Sequence, residues 1–156
     1  MKYWLMKNEV EDYSIDDLKR DKKTLWTGVR NYQARNFMRD EMQPGDLAIF
    51  YHSNAEPSGA AGIMKIRGKS LADPTQFEKT SDYYDEKASH EKPRWFLREV
   101  EFVRKLKRLV SIQEMREIPA CRDMLTLQKG SRLSITPLKK GEWDAILKAS
   151  EKNPRG

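Results

Sequence analysis

The chain reads as a small, twisted α+β sheet closing toward a barrel. Three observations predict this. Apolar runs of strand length outnumber the amphipathic stretches long enough to be helices. Pro44-Gly45, Pro57-Ser58-Gly59 and Pro93 cut the chain into short elements. The run Ala60-Ala61-Gly62 permits backbones to approach closely, as in tight barrels and ligand sites.

The elements follow in order. Tyr3-Trp4-Leu5-Met6 is an apolar, aromatic strand at the start, and Ser14 with Asp17 opens a short helix through Leu18. Gly28 turns the chain after Trp26. From Asn31 a helix runs until Pro44-Gly45 stops it. Asp46 to Tyr51 is a buried strand, Asn54 to Gly59 a turn, and Ala60 to Ile66 the returning strand. Residues 70–94 form a long connection of little periodicity, and such loops are more often functional than not. Trp95 to Leu106 is the longest strand. Ser111 with Glu114 caps a helix through Ile118, and Met124 to Leu127 is a helical turn. Arg132 to Thr136 alternates as a strand, and a last helix spans Lys139 to Ala149. One domain is expected over 1–150, with a frayed tail at 151–156.

Composition narrows the function classes. Of 156 residues, 38% are hydrophobic and 35% charged, which fits a globular chain with a well-solvated surface. The net charge of +6 favours polyanionic partners, because a Lys or Arg beside a phosphate releases a condensed counterion. The single Cys121 excludes an internal disulfide framework and suits a reducing compartment. The apolar run at the N-terminus is too short for a signal peptide, and no stretch approaches membrane-span length. The expectation is a cytoplasmic protein, or a nuclear one in a eukaryote.

No catalytic constellation is visible. Cys121 sits in a charged segment with no elbow around it, and His52 and His90 lack zinc spacing. No glycine-rich phosphate loop is present. No cofactor and no metal are expected.

Three segments carry recognition chemistry. Trp26 to Asn36 packs a Trp, two Asn, a Gln and two Arg around a turn and a helix start. Asn and Gln match base edges, and a helix start offers free N–H groups. Trp26 is either a base-stacking wall or a core residue whose polar neighbours cap the helix, and local chemistry alone favours the core. In Phe50-Tyr51-His52-Ser53-Asn54 a strand ends in polar side chains, which line a pocket mouth or satisfy a turn. Pro93-Arg94-Trp95, with Gly130 to Ser134 further on, offers a second aromatic wall or a core anchor. The basic run Arg104 to Arg108 is a phosphate rail or a charged strand that resists aggregation.

Taken together, these motifs resemble the EVE domain family. The likeness runs from Tyr3-Trp4 through Trp26-Thr27-Gly28-Val29-Arg30-Asn31-Tyr32-Gln33-Ala34-Arg35-Asn36, Phe50 to Asn54, Asp73 to Phe77, Tyr83-Tyr84-Asp85 and Pro93-Arg94-Trp95 to Trp143. It implies a PUA-like pseudo-β-barrel of mixed strands with peripheral helices. It also implies a nucleic-acid reader that holds a modified base in an aromatic pocket, with a 5-methylcytosine-type DNA mark favoured and a modified RNA base as the other form. The implied base-binding set is Lys7, Asn8, Trp26, Val29, Arg30, Asn31, Arg35, Tyr51, His52, Ser53, Asn54, Trp95, Arg132, Leu133 and Ser134. Trp26 matches the first wall, and Trp95 is similar to the second. One departure stands out: the family reads Lys-x-Glu-Pro after the first strand, and here Val10 replaces the proline, restoring a backbone N–H. A small-molecule binder or enzyme using the same pocket is the alternative, and an interaction module with a filled cavity is a third.

Overall fold

In a computed structural model describing residues 1–128 and 133–152, six strands make one mixed sheet. They are β1 (Tyr3–Glu9), β2 (Lys23–Trp26), β3 (Leu47–Ser53), β4 (Gly59–Ala72), β5 (Phe96–Ser111) and β6 (Ile135–Leu138). Helices α1 (Ile15–Asp21), α2 (Tyr32–Asn36), α3 (Ile112–Glu117) and α4 (Lys140–Ser150) pack around it. The strand order is β2-β5-β4-β3-β1-β6. β1 runs parallel to β3, and every other pair is antiparallel. The expected closure is incomplete: among the described residues the sheet keeps β2 and β6 as its two edges.

Strand alternation builds a core on each face of the sheet. Trp4, Met6, Phe50, Met64 and Val100 share one core with Trp26, Ile15 and Leu18 of α1 and Ala34 of α2. Leu5, Ile49, Tyr51, Ile63 and Val110 share the other with Met115 of α3, Cys121, and Trp143 and Ile146 of α4. Both helix starts read from sequence hold, but only α1 has the full capping box, with Asp17 Oδ2 accepting from Ser14 N; at α3 the Glu114 carboxylate goes to Arg108 and Ser111 acts as a simple N-cap. Ser14 Oγ accepts from Asp17 N at 3.2 Å, and Ser111 Oγ accepts from Glu114 N at 3.1 Å. The small residues of β4 serve close approach. A Cβ on Gly59 would lie 2.3 Å from Val110 O, and one on Gly62 2.4 Å from Ile15 Cδ1.

Five elements differ from the sequence expectation, the simplest being β5, which runs past Leu106 to Ser111. The helix after Asn31 is a short α2 followed by a π turn at Phe37–Glu41. The buried Arg98 guanidinium donates to Met38 O at 3.0 Å and Met42 O at 2.6 Å, and also bonds Gly68 O, fastening that turn to β5. β4 runs past Ile66 to Ala72 through a register shift at the positive-φ Gly68, so the connection starts later than expected. β2, only four residues long, exists because it pairs with β5. β6 begins at Ile135 rather than Arg132, which lies with Gly130 and Ser131 outside the described residues. The basic run falls on β5 and is largely paired. Lys105 meets Asp16 at 2.7 Å, Lys107 meets Glu151 at 2.8 Å, and Arg108 meets Glu114 at 2.6 Å.

Candidate nucleic-acid interface

Pairing of β1 with β3 sets Lys7, Asn8 and Glu9 beside Tyr51, His52 and Ser53. Lys7 N donates to Ser134 O at 2.8 Å, so the chain entering β6 joins the same end of the sheet. A recess of about 310 Å³ opens there, lined by Lys7, Asn8, Glu9, Asp12, Ser53, Tyr83, Leu133 and Ser134. A second recess of about 450 Å³ shares Asn8, Asp12 and Tyr83 with it, and adds Tyr13, Thr24, Leu25, Trp26, Thr27 and Asp82. The two adjoin across these three shared residues and make up a depression beside the end of β2.

Trp26 is both core and wall. It is 4% exposed and meets Phe50 edge-on at 5.3 Å, yet it lines the larger recess. Tyr13 lines the same recess. Burial first, and then its hydrogen bond to Asp21, push its phenol up to about 12, so it remains a neutral donor. Lys7 lies 5.5 Å from the Tyr51 ring centroid, and burial lowers its pKa. Burial also raises the Tyr51 phenol, against the pull of Arg116.

Trp95 lines neither recess. Its ring stacks on Tyr32 at 4.8 Å and 22° on one contact, and the Arg30 guanidinium lies 5.3 Å from its centroid on another. Its Nε1 donates to Asp85 Oδ2 at 2.8 Å, a bond that heads the causes holding the Asp85 carboxyl below its usual range. Asn31 is the N-cap of α2, accepting from Ala34 N at 3.0 Å. Arg35 donates to Arg94 O at 2.9 Å and lies over Tyr32 at 4.8 Å; Val29 is buried in the first core. Asn54 takes φ +51 in the turn after β3. Sequence reasoning left Asp12, Tyr13, Thr24, Asp82 and Tyr83 out of the binding set. The tyrosine pair in the 70–94 connection was the available signal, since aromatic residues in a polar loop need a surface to cover.

His52 serves the fold at this site. Its Nε2 accepts from Ile15 N at 3.1 Å, which requires an unprotonated nitrogen. Burial lowers its pKa below the ordinary 6.5, with Lys105 acting in the same direction and Asp16 against it. The unfolded chain therefore takes up the proton first. Stability from this group is full above about 6.5 and is lost as pH falls from there through the depressed folded value. Urea midpoints should drop across that window, and His52→Gln, which keeps an acceptor, should flatten the drop. An unchanged pH slope in that variant would remove His52 from the account.

Cys121 is buried beneath α3 and α4, and burial followed by Glu142 pushes its thiol up to about 11, leaving it protonated at neutral pH. No group of three metal-binding side chains occurs among the described residues, and no helix among them is long and apolar enough to cross a membrane.

Comparison with known proteins places this fold. The EVE domain model matches residues 2–149. Thymocyte nuclear protein 1 of Homo sapiens is 41% identical over 170 residues, which cover 97% of this chain and 75% of that protein. A crystal structure of a Pseudomonas syringae protein has 42% identity and a TM-score of 0.92, covering 95% of this chain and 99% of that one. A crystal structure of the human THYN1 protein in complex with 5-methylcytosine-containing DNA has 39% identity and a TM-score of 0.93, covering 99% of this chain and 100% of that one. With motifs and fold in agreement over nearly its whole length, the chain belongs to the EVE domain family.

Proposed function

We propose that the chain is a DNA-binding reader of a 5-methylcytosine-type base, taken out of the stack and held in the depression beside β2. The observation that carries this reading is the lining of the larger recess. Trp26, Tyr13 and Tyr83 supply aromatic surface, while Asn8, Thr24, Thr27, Asp12 and Asp82 supply polar groups. Stacking gives affinity for any base, so identity must be read at the polar edge. Cytosine presents an N4 amino donor, and aspartates accept from it. Thymine carries the same methyl group but places an acceptor there, which two carboxylates repel. The human relative crystallised with 5-methylcytosine-containing DNA and the net charge of +6 support the same partner.

The test compares matched oligonucleotides carrying cytosine, 5-methylcytosine or thymine, single- and double-stranded, at physiological salt. Burying one methyl group is worth about 0.8 kcal/mol, so 5-methylcytosine should bind about fourfold tighter than cytosine. Thymine should bind more weakly than 5-methylcytosine by about 1–3 kcal/mol. Equal, weak binding of all three would sink the proposal, and tighter binding of modified RNA would redirect it.

A second reading has one observation in its favour. Among the described residues, the larger recess is lined by two carboxylates and by no Lys or Arg. That lining suits a free small molecule bearing an amino group. Such a ligand would bind alone and displace no DNA, whereas free 5-methylcytidine should compete with the oligonucleotide if the base-reading proposal holds.

A further inference from the structure

We infer that Tyr83 is the second aromatic wall of the base site, and that Arg30 is the residue that positions it. The inference rests on the base-reading function proposed above and assigns its parts. Tyr83 lines both recesses and is 42% exposed, as a group that must meet a ligand should be. Two contacts hold it in place, and a third set holds the residue that makes the second.

The first is Gly28, two residues past Trp26. Its φ is +81, and a Cβ there would lie 2.8–3.1 Å from three carbons of the Tyr83 ring. The ring therefore lies directly on backbone that leads out of Trp26, which brings the two aromatic groups to one recess. Only glycine meets both demands at this position.

The second is the Arg30 fork. Nε and Nη2 both donate to Tyr83 O, at 3.1 and 2.8 Å, and the guanidinium lies 5.3 Å from the Tyr83 ring centroid. A lysine cannot make this two-pronged contact. The third is what holds Arg30 itself. Nη1 meets the fully buried Asp73 carboxylate at 3.2 Å, and Nη2 donates to Thr75 Oγ1 at 3.0 Å. The same guanidinium lies 5.3 Å from the Trp95 ring centroid, and Trp95 stacks in turn on Tyr32. Every donor of Arg30 named here is spent on the loop and its anchor. The guanidinium thus works as a strut between the Trp95 stack and the wall rather than as a phosphate contact.

The experiment is a double-mutant cycle on the full chain with a 5-methylcytosine oligonucleotide, titrated at several salt concentrations. Tyr83→Ala should weaken binding about 5- to 150-fold, the span of base–aromatic stacking, and Tyr83→Phe should restore it. Arg30→Ala should weaken binding without changing the salt slope, Arg30→Lys should fail to rescue, and Arg30→Ala on the Tyr83→Ala background should add nothing further. Additive losses, with a salt slope reduced by about one, would make Arg30 a phosphate contact and overturn the positioning role. Full affinity in Tyr83→Ala would overturn the wall. A separate arm needs no DNA: amide hydrogen exchange at Tyr84 and Asp85 should accelerate in Arg30→Ala, and unchanged exchange overturns the strut. The two levels fail differently. A wild-type protein that cannot tell 5-methylcytosine from cytosine defeats the base-reading function, whereas one that can, with variants that bind normally, defeats this inference alone.

Discussion

Trp26→Ala should lower folding stability by about 3–5 kcal/mol, the usual cost of emptying a buried aromatic site. For a chain of this length that corresponds to a fall in Tm of about 2–4 °C per kcal/mol. The expectation follows from its place at the end of β2, where it is paired with Arg98 across to β5 and seated edge-on against Phe50. Loss of DNA binding in this variant would therefore carry two causes. Trp26→Phe separates them: it keeps a ring in the core and gives up stacking area in the recess. The folded Phe variant should lose affinity for the 5-methylcytosine oligonucleotide while keeping the salt dependence of binding, because stacking and phosphate contacts are separate contributions. A Trp26→Ala protein that melts within a degree or two of wild type would show that the surrounding core does not depend on it.

Asp73→Ala is the second large effect. Its buried carboxylate accepts from Gly28 N at 2.8 Å, Arg30 Nη1 at 3.2 Å, Thr75 N at 2.9 Å and Thr75 Oγ1 at 2.6 Å. Removing it strands a guanidinium and leaves two backbone N–H groups without their acceptor. Breaking such a pair from one side costs about 3–5 kcal/mol, more than the pair itself contributes. Denaturant midpoints at unchanged m-value would measure it. Asp73→Asn keeps the shape but gives up the charge and one acceptor oxygen, so it should fall between the two. The loop carrying Tyr83 loses its anchor at the same time, and base affinity should fall with stability. A loss under about 1 kcal/mol in Asp73→Ala would mean the turn at 73–77 is held by Gln76 instead. That fully buried side chain bridges Asp73 O and Trp95 O at 2.8 Å each.

Much of the fold was legible in the chain because its signals are local. Ser14 with Asp17 and Ser111 with Glu114 mark helix starts through contacts three residues apart. The run Ala48-Ile49-Phe50-Tyr51 marks a strand by its own apolarity. What stayed hidden depends on partners far along the sequence. β2 has little pattern of its own and is defined by pairing with β5. Whether the sheet closes is set by its edge strands, β2 and β6, which no local pattern relates. The site shows the same division. Trp26, Lys7, Asn8, Ser53, Leu133 and Ser134 reach the depression along strand ends that motif order places. Trp95 does not, because Tyr32 and Arg30 lie against its ring, and nothing near Trp95 in sequence signals either. Tyr83 arrives from a loop whose path is fixed by Arg30 and Gln76, so its place at the depression emerges only with the tertiary contacts.

The parallel pairing of β1 with β3, and the antiparallel pairing of β1 with β6, have a consequence for synthesis on the ribosome. The first strand to emerge can find β3 early, but its other edge waits for the last strand of the sheet. Contacts between such distant segments form late and slow the overall reaction. Lys7 meets Ser134 only at that final step, so the smaller recess has no counterpart in a nascent chain. Base recognition of the kind proposed here would thus become available all at once, when β6 closes against β1.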